Sequence, residues 1–240
     1  MITGEQMIEN VKRDEIIACD WDGVIQDIDT HWLEKVIYNR KFFEPYFDFS
    51  KITNDKGVID TSLILKRDKY YINAWLAKDN VEVPNEVVDA FIKLYMDDVL
   101  FYEECPALNM VNMLKGLIDQ KVVKKVHFIS SAPDGFDTDP RKIKKMHDLF
   151  EGYLDNMTLD IIGGHEKKSD FINKNIPEYT VFIDDRSDNV RDVIDNTDSS
   201  NKQFILPLYP YNVELGKDRE YLKKLYNKGS IVTTYKNEYI

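Results

Sequence analysis

The chain has 240 residues, 43% hydrophobic and 31% charged, with a net charge of −11 that disfavours tracking a long polyanion such as a nucleic-acid backbone. Its length allows one core with a sizeable insertion or two small domains, and no apolar run approaches the roughly 18 residues of a membrane span. Two cysteines exclude a disulfide framework and point to a reducing cytoplasm.

The opening residues, "MITGEQMIENVKRDE", are polar and mixed in charge, so no signal peptide is expected there. The first predicted strand is "EIIACD", 15–20, where Cys19 is expected as a small buried hydrophobe. Asp20 and Asp22 end that run, and Gly23 follows at once. Residues 28–100 then show no clear strand. "DTSLILKRDKYYINAWLAKDN" and "PNEVVDAFIKLYMDDVLF" predict two longer helices, preceded by a crowd of aromatics from Trp32 to Phe49. A helical insertion straight after the first strand sits where a lid over the sheet would go.

Further strands are predicted at "VVKKVHFISS", "LDIIGG", "YTVFIDD" and "KQFILPLY", each a continuous apolar run of the kind buried on both faces of a parallel sheet. Between them lie helical patterns. In "DPRKIKKMHDLF", Asp139 and Pro140 suit a helix start, and Ile143, Met146, His147 and Phe150 fall on one face. "KKSDFINKN" and "SDNVRDVIDN" are shorter amphipathic candidates, and "DREYLKKLYNKG" is a last helix stopped by Gly229. Alternation of this kind predicts an α/β, Rossmann-like doubly wound parallel sheet with a mainly helical cap inserted after the first strand. The expected division is a core of 1–27 and 101–240 and a cap of 28–100.

Parallel strands bring their carboxyl ends to one edge. That edge would collect Asp20 and Asp22, Ser130 and Ser131, Lys167 and Lys168, and Asp184, Asp185 and Asp188. Adjacent aspartates at the end of a buried run repel each other and need a counter-charge. The four histidines, His31, His127, His147 and His165, show no zinc spacing.

These four sets, in this order, resemble the motifs of the haloacid dehalogenase-like phosphohydrolases: "IIACDWDGVI", "VHFISS", "KKSDFI" and "VFIDDRSDNV". Shorter words, "IQDID", "SSAP", "IDDR" and "LYPYN", are similar to the 5'(3')-deoxyribonucleotidase branch. Trp21 departs from the smaller or aliphatic residue that the family often places between the two aspartates.

The resemblance implies a Mg²⁺-dependent phosphatase, a nucleotidase first, working through an aspartyl-phosphate. Asp20 would be the nucleophile and Asp22 the general acid and base. Asp20, the Asp22 carbonyl and Asp185 would hold the metal, with Asp184 as the alternative to Asp185 and Asp188 as a further partner. Ser130 and the N–H of Ser131 would bind the phosphoryl group together with Lys168, or with Lys167 in its place. In the cap, His31, Phe42, Phe43, Tyr46 and Phe47 are candidates to touch substrate, the aromatics by stacking a base. The expected partner is a small phosphorylated metabolite, with neither membrane nor long nucleic acid. Two other readings are a polynucleotide 3'-phosphatase and a non-catalytic binding module on the same fold.

Overall fold

The computed structural model describes residues 14–132, 139–207 and 227–235. Six parallel strands form one sheet in the order β3-β2-β1-β4-β5-β6. They are β1 (Glu15–Cys19), β2 (Val123–Ala132), β3 (Met157–Gly163), β4 (Val181–Ile183), β5 (Gln203–Pro207) and β6 (Ile231–Tyr235). The expected five strands are all present, and β6 extends the sheet beyond them. Its short run "IVTTY" follows Gly229, a residue with φ of +74°, at a point where the sequence pattern reads only as a helix stop. The expected "LYPYN" stretch lies outside the described residues, as does most of the last helix over 218–229.

Alternation along β1 distributes its side chains to two cores. Ile17 and Cys19 join one layer with Val126, Phe128 and helix α6 (Met110–Asp119), through Met110, Val111, Leu114 and Leu117. Ala18 joins the opposite layer with Ile129, Phe182 and Phe204. That layer is closed by Ile172 of α8 (Lys168–Asn175) and by Val190, Val193 and Ile194 of α9 (Ser187–Asn196). Helices on both faces cover the central strands β1 and β4, which is why these read as unbroken apolar runs. The strand order places a topological switch point between β1 and β4, where the chain leaves in opposite directions and a crevice opens.

Between β1 and β2 the chain is helical. Its elements are α1 (Ile28–Tyr38), α2 (Arg40–Phe43), α3 (Ile72–Leu76), α4 (Asn85–Met96) and α5 (Phe101–Glu104), besides α6. Asp27 caps α1 by accepting from the Thr30 N–H at 3.0 Å. Leu33 and Val36 of α1 pack on Val87 and Phe91 of α4 and on Phe43, Phe47 and Leu76, a core of its own. The long helix expected over 60–80 is absent. In its place stand a 3₁₀ turn, Thr61–Lys66, and the single turn of α3, separated by extended backbone at Arg67 and Tyr71. Arg67 explains the break: its buried guanidinium pairs with Asp29 and donates to the carbonyls of Tyr70 and Ile64. A tertiary ion pair here overrides local helix propensity.

Candidate active site

At the switch point, Asp20 follows β1 and Asp184 and Asp185 follow β4, all three buried. One carboxylate oxygen from each lies within 4.8 Å of the others. Lys168, at the first position of α8, reaches into this cluster. Its Nζ lies 2.8 Å from Asp20 Oδ1 and 2.7 Å from Asp184 Oδ2. Burial opposes the Lys168 ammonium, but Asp184 and Asp20 outweigh it and hold its pKa above that of a free lysine. Asp184 also accepts from the Arg186 N–H at 2.8 Å and from Asn189 Nδ2 at 3.1 Å. Burial, with Lys168 opposing it and Asp20 adding to it, pushes the Asp184 carboxyl up to about 6.

The turn after β1 is built to bring these groups close. Gly23 has φ of +76°, and a Cβ there would stand 2.7 Å from Asp185 Oδ2. The position therefore requires glycine on two counts, backbone conformation and space. Trp21 turns away from the site into the core, edge-on to Phe128 at 5.1 Å, with its Nε1–H donating to Gln26 Oε1 at 2.8 Å. Gln26 in turn donates to the carbonyls of Tyr102 and Cys105, tying the turn to α5. The unusual tryptophan is thus an anchor of the loop, while its backbone N–H donates to Asp20 Oδ1 at 2.7 Å.

Three buried carboxylates facing one ammonium leave an excess of negative charge, and hard oxygen donors in that number suit a divalent cation such as Mg²⁺. The donor set therefore fits the expected metal. Asp20, Asp184 and Asp185 would hold it, so both β4 aspartates stand in the cluster. Asp188 is placed differently: its side chain is 66% exposed and bound by Arg186, and it is not in the cluster. Lys167 also points elsewhere, 64% exposed and 3.3 Å from Asp192.

Asp22 sits beside this cluster with partners that the sequence reading missed. Lys142 Nζ donates to Asp22 Oδ2 at 2.6 Å and also to Ser130 Oγ, and the Ser130 hydroxyl lies 3.3 Å from the same Asp22 oxygen. Burial, opposed by Lys142, pushes the Asp22 carboxyl up. Lys142 lies on α7 (Asp139–Leu149) and is 0% exposed, whereas Ile143 and His147 of the expected apolar face are exposed. The buried stripe of α7 runs instead through Lys142, Met146 and Phe150 just beyond its end. Spacing of four along 142, 146 and 150 was the available signal. A lysine in an apolar stripe is readily taken for surface.

A cavity of about 550 Å³ opens above these groups. Asp20, Asp22, Ser131 and Lys168 form its charged floor, and Trp32, Tyr70, Tyr71, Phe91 and Tyr95 form aromatic walls from the segment between β1 and β2. Ser131 rather than Ser130 faces the cavity, since Ser130 is fully buried against Asp22. Trp32 stacks on Phe91 with centroids 4.5 Å apart, its Nε1–H donating to the Phe91 carbonyl. Arg186 lines the cavity with its guanidinium 4.6 Å from the centre of the Tyr70 ring. None of the five cap residues expected at the substrate lines this cavity. Phe43 and Phe47 are stacked inside the segment's own core, Tyr46 packs against it, and Phe42 is 51% exposed. His31 is buried against the Phe101 ring at 4.8 Å, near Glu34 and Glu104.

Sheet order and helices on both faces define a doubly wound, Rossmann-like α/β fold. The chain is similar to a haloacid dehalogenase-like hydrolase from Streptococcus pneumoniae, at 15% identity over 93% of this chain and 94% of that one, with a TM-score of 0.51. A haloacid dehalogenase-like family hydrolase from Xanthomonas campestris aligns over 90% of this chain and 99% of its own, at 10% identity and a TM-score of 0.46. No protein-family model and no curated protein matches the sequence.

Proposed function

We propose that the protein is a Mg²⁺-dependent phosphatase of small phosphorylated metabolites, acting first on (deoxy)nucleoside monophosphates. One observation carries the reading: a buried carboxylate, Asp20, lies within reach of a buried lysine at the floor of a cavity with aromatic walls. Asp20 attacks phosphorus as the ester P–O bond breaks, giving an aspartyl-phosphate, while Asp22 gives its proton to the departing oxygen. Water then attacks phosphorus, Asp22 takes its proton, and the bond from phosphorus to Asp20 breaks to release phosphate. Lys168 supplies positive charge to the transferring group, with the Ser131 N–H beside it. Bound Mg²⁺ would neutralise charge on the phosphoryl oxygens.

The insertion of residues 28–100, between β1 and α6, forms the cap. Its walls suit a planar group: the aromatic residues Trp32, Phe91, Tyr70 and Tyr71 line a space large enough for a base and sugar. Among the described residues no helix is long and apolar enough to cross a membrane. Both cysteines are free and buried, which suits the reducing cytoplasm we assign to the protein. The test is phosphate release from a panel of phosphorylated metabolites, with and without Mg²⁺. Turnover of nucleoside monophosphates that requires the metal supports the reading. Turnover confined to a 3'-phosphorylated oligonucleotide would shift it to end repair, and none at all would refute it.

A further inference from the structure

Lys142 stands outside the four strand-end sets, yet it is one of the most completely buried charged groups among the described residues. A buried ammonium is costly unless its donors are all used, so the direction in which it is held is informative. Its Nζ lies between Asp22 Oδ2 at 2.6 Å and the Ser130 hydroxyl, with the face of Tyr102 5.1 Å away. Both groups that meet Asp22 meet the same oxygen, Oδ2. The other oxygen, Oδ1, is shielded from solvent and has no hydrogen-bond partner among the described residues, although Asp22 lines the cavity. The carboxyl is thus gripped by one oxygen, while the other is enclosed without a hydrogen-bond partner among the described residues.

We propose that Lys142 is a positioning residue: by gripping Oδ2 it fixes the Asp22 carboxyl that hands the proton to the departing oxygen. This deepens the phosphatase reading and rests on it. In the step concerned, a bond forms from Asp20 to phosphorus and the ester P–O bond breaks. Its electron pair stays on the leaving oxygen, and the proton from Asp22 neutralises that oxygen. Lys142 gives up no proton and touches no substrate. It donates to Oδ2 whether or not the carboxyl carries its proton, and its attachment to α7 fixes the carboxyl plane.

Leaving groups distinguish this role from a merely structural one. A sugar alkoxide needs the proton, whereas p-nitrophenolate departs without it. The experiment compares kcat/KM, which reports the steps through loss of the leaving group, for a nucleoside monophosphate and for p-nitrophenyl phosphate. It uses wild type, Lys142→Met, Lys142→Arg and Asp22→Asn, each checked for cooperative thermal unfolding. Lys142→Met should lose about 100-fold or more on the nucleotide but less than about fivefold on the nitrophenyl ester, as general acid catalysis predicts. Asp22→Asn should show the same selectivity, and Lys142→Arg should recover part of the nucleotide rate. Lys142→Gln, which keeps a donor in the buried site, is read in the same way should the methionine variant not fold. Equal losses on both esters, or none on either, overturn the assignment while leaving the phosphatase reading intact. A folded wild type inactive on both esters would sink the two together.

Discussion

The floor and the walls of the cavity are made by different rules. The floor is charged, buried and supported from three sides: Lys168 bridges Asp20 and Asp184, Lys142 holds Asp22, and Gly23 lets Asp185 approach. Each of its groups has one geometry because leaving any of them unpaired in the interior would be costly. The walls are aromatic side chains of a helical segment with its own core, held by packing at Trp32 and Phe91 and by the nearby Arg67–Asp29 and Arg186 contacts at Tyr70 and Tyr71. In the proposed phosphatase, chemistry belongs to the part that cannot be rearranged and substrate choice to the part that can be repacked.

That contrast is testable by breaking the floor first. Asp20→Asn should lower phosphate release on the order of 10³-fold or more, with a fold little changed, measured as kcat beside a thermal melt. Lys168→Met should lose activity and stability together. Removing one partner of a buried pair leaves Asp20 and Asp184 uncompensated, at about 3–5 kcal/mol by chemical denaturation. Gly23→Ala should cost about 1–3 kcal/mol for the positive φ alone, and should weaken stabilisation by Mg²⁺ as its Cβ displaces Asp185. The walls should respond more gently. Trp32→Ala should weaken nucleotide binding by about 1–3 kcal/mol, seen as raised KM, whereas Phe42→Ala should leave KM unchanged. An equal effect of the two would erase the distinction drawn here.

The smallest expected effect concerns pH. Asp184 in the metal-free protein takes up its proton near 6, and a metal ligand must be ionised. Above that value the carboxylate is ready for Mg²⁺. Below it, a proton competes, so the rise in melting temperature given by Mg²⁺ should shrink as pH falls from 7 to 5. A rise independent of pH would contradict this.

Most of the floor was legible in the sequence because strands buried on both faces are punctuated sharply. "EIIAC", "VHFISS" and "VFI" end where polar residues begin, and a parallel sheet sends every such end to one edge. Lys142 was hidden because helical periodicity was read from apolar residues alone, which turned the face toward Ile143 and His147. The walls were hidden for another reason. Aromatics fill the segment between β1 and β2, and composition cannot separate Phe43 and Phe47, stacked in its core, from Trp32 and Tyr70, facing the cavity. The sorting depends on Arg67, whose pairing with Asp29 breaks the expected helix and leaves Tyr70 and Tyr71 at the cavity. A contact between residues 38 positions apart leaves no local pattern.

The central claim, that Asp20 carries the phosphoryl group, has a direct chemical test. Borohydride reduces an aspartyl-phosphate to homoserine, so enzyme turning over a nucleoside monophosphate with Mg²⁺ can be acid-quenched, reduced and mapped by peptide mass spectrometry. The account predicts homoserine at position 20 and nowhere else, with none formed when substrate is omitted. Turnover with no modified aspartate, or with the modification at another residue, would contradict it.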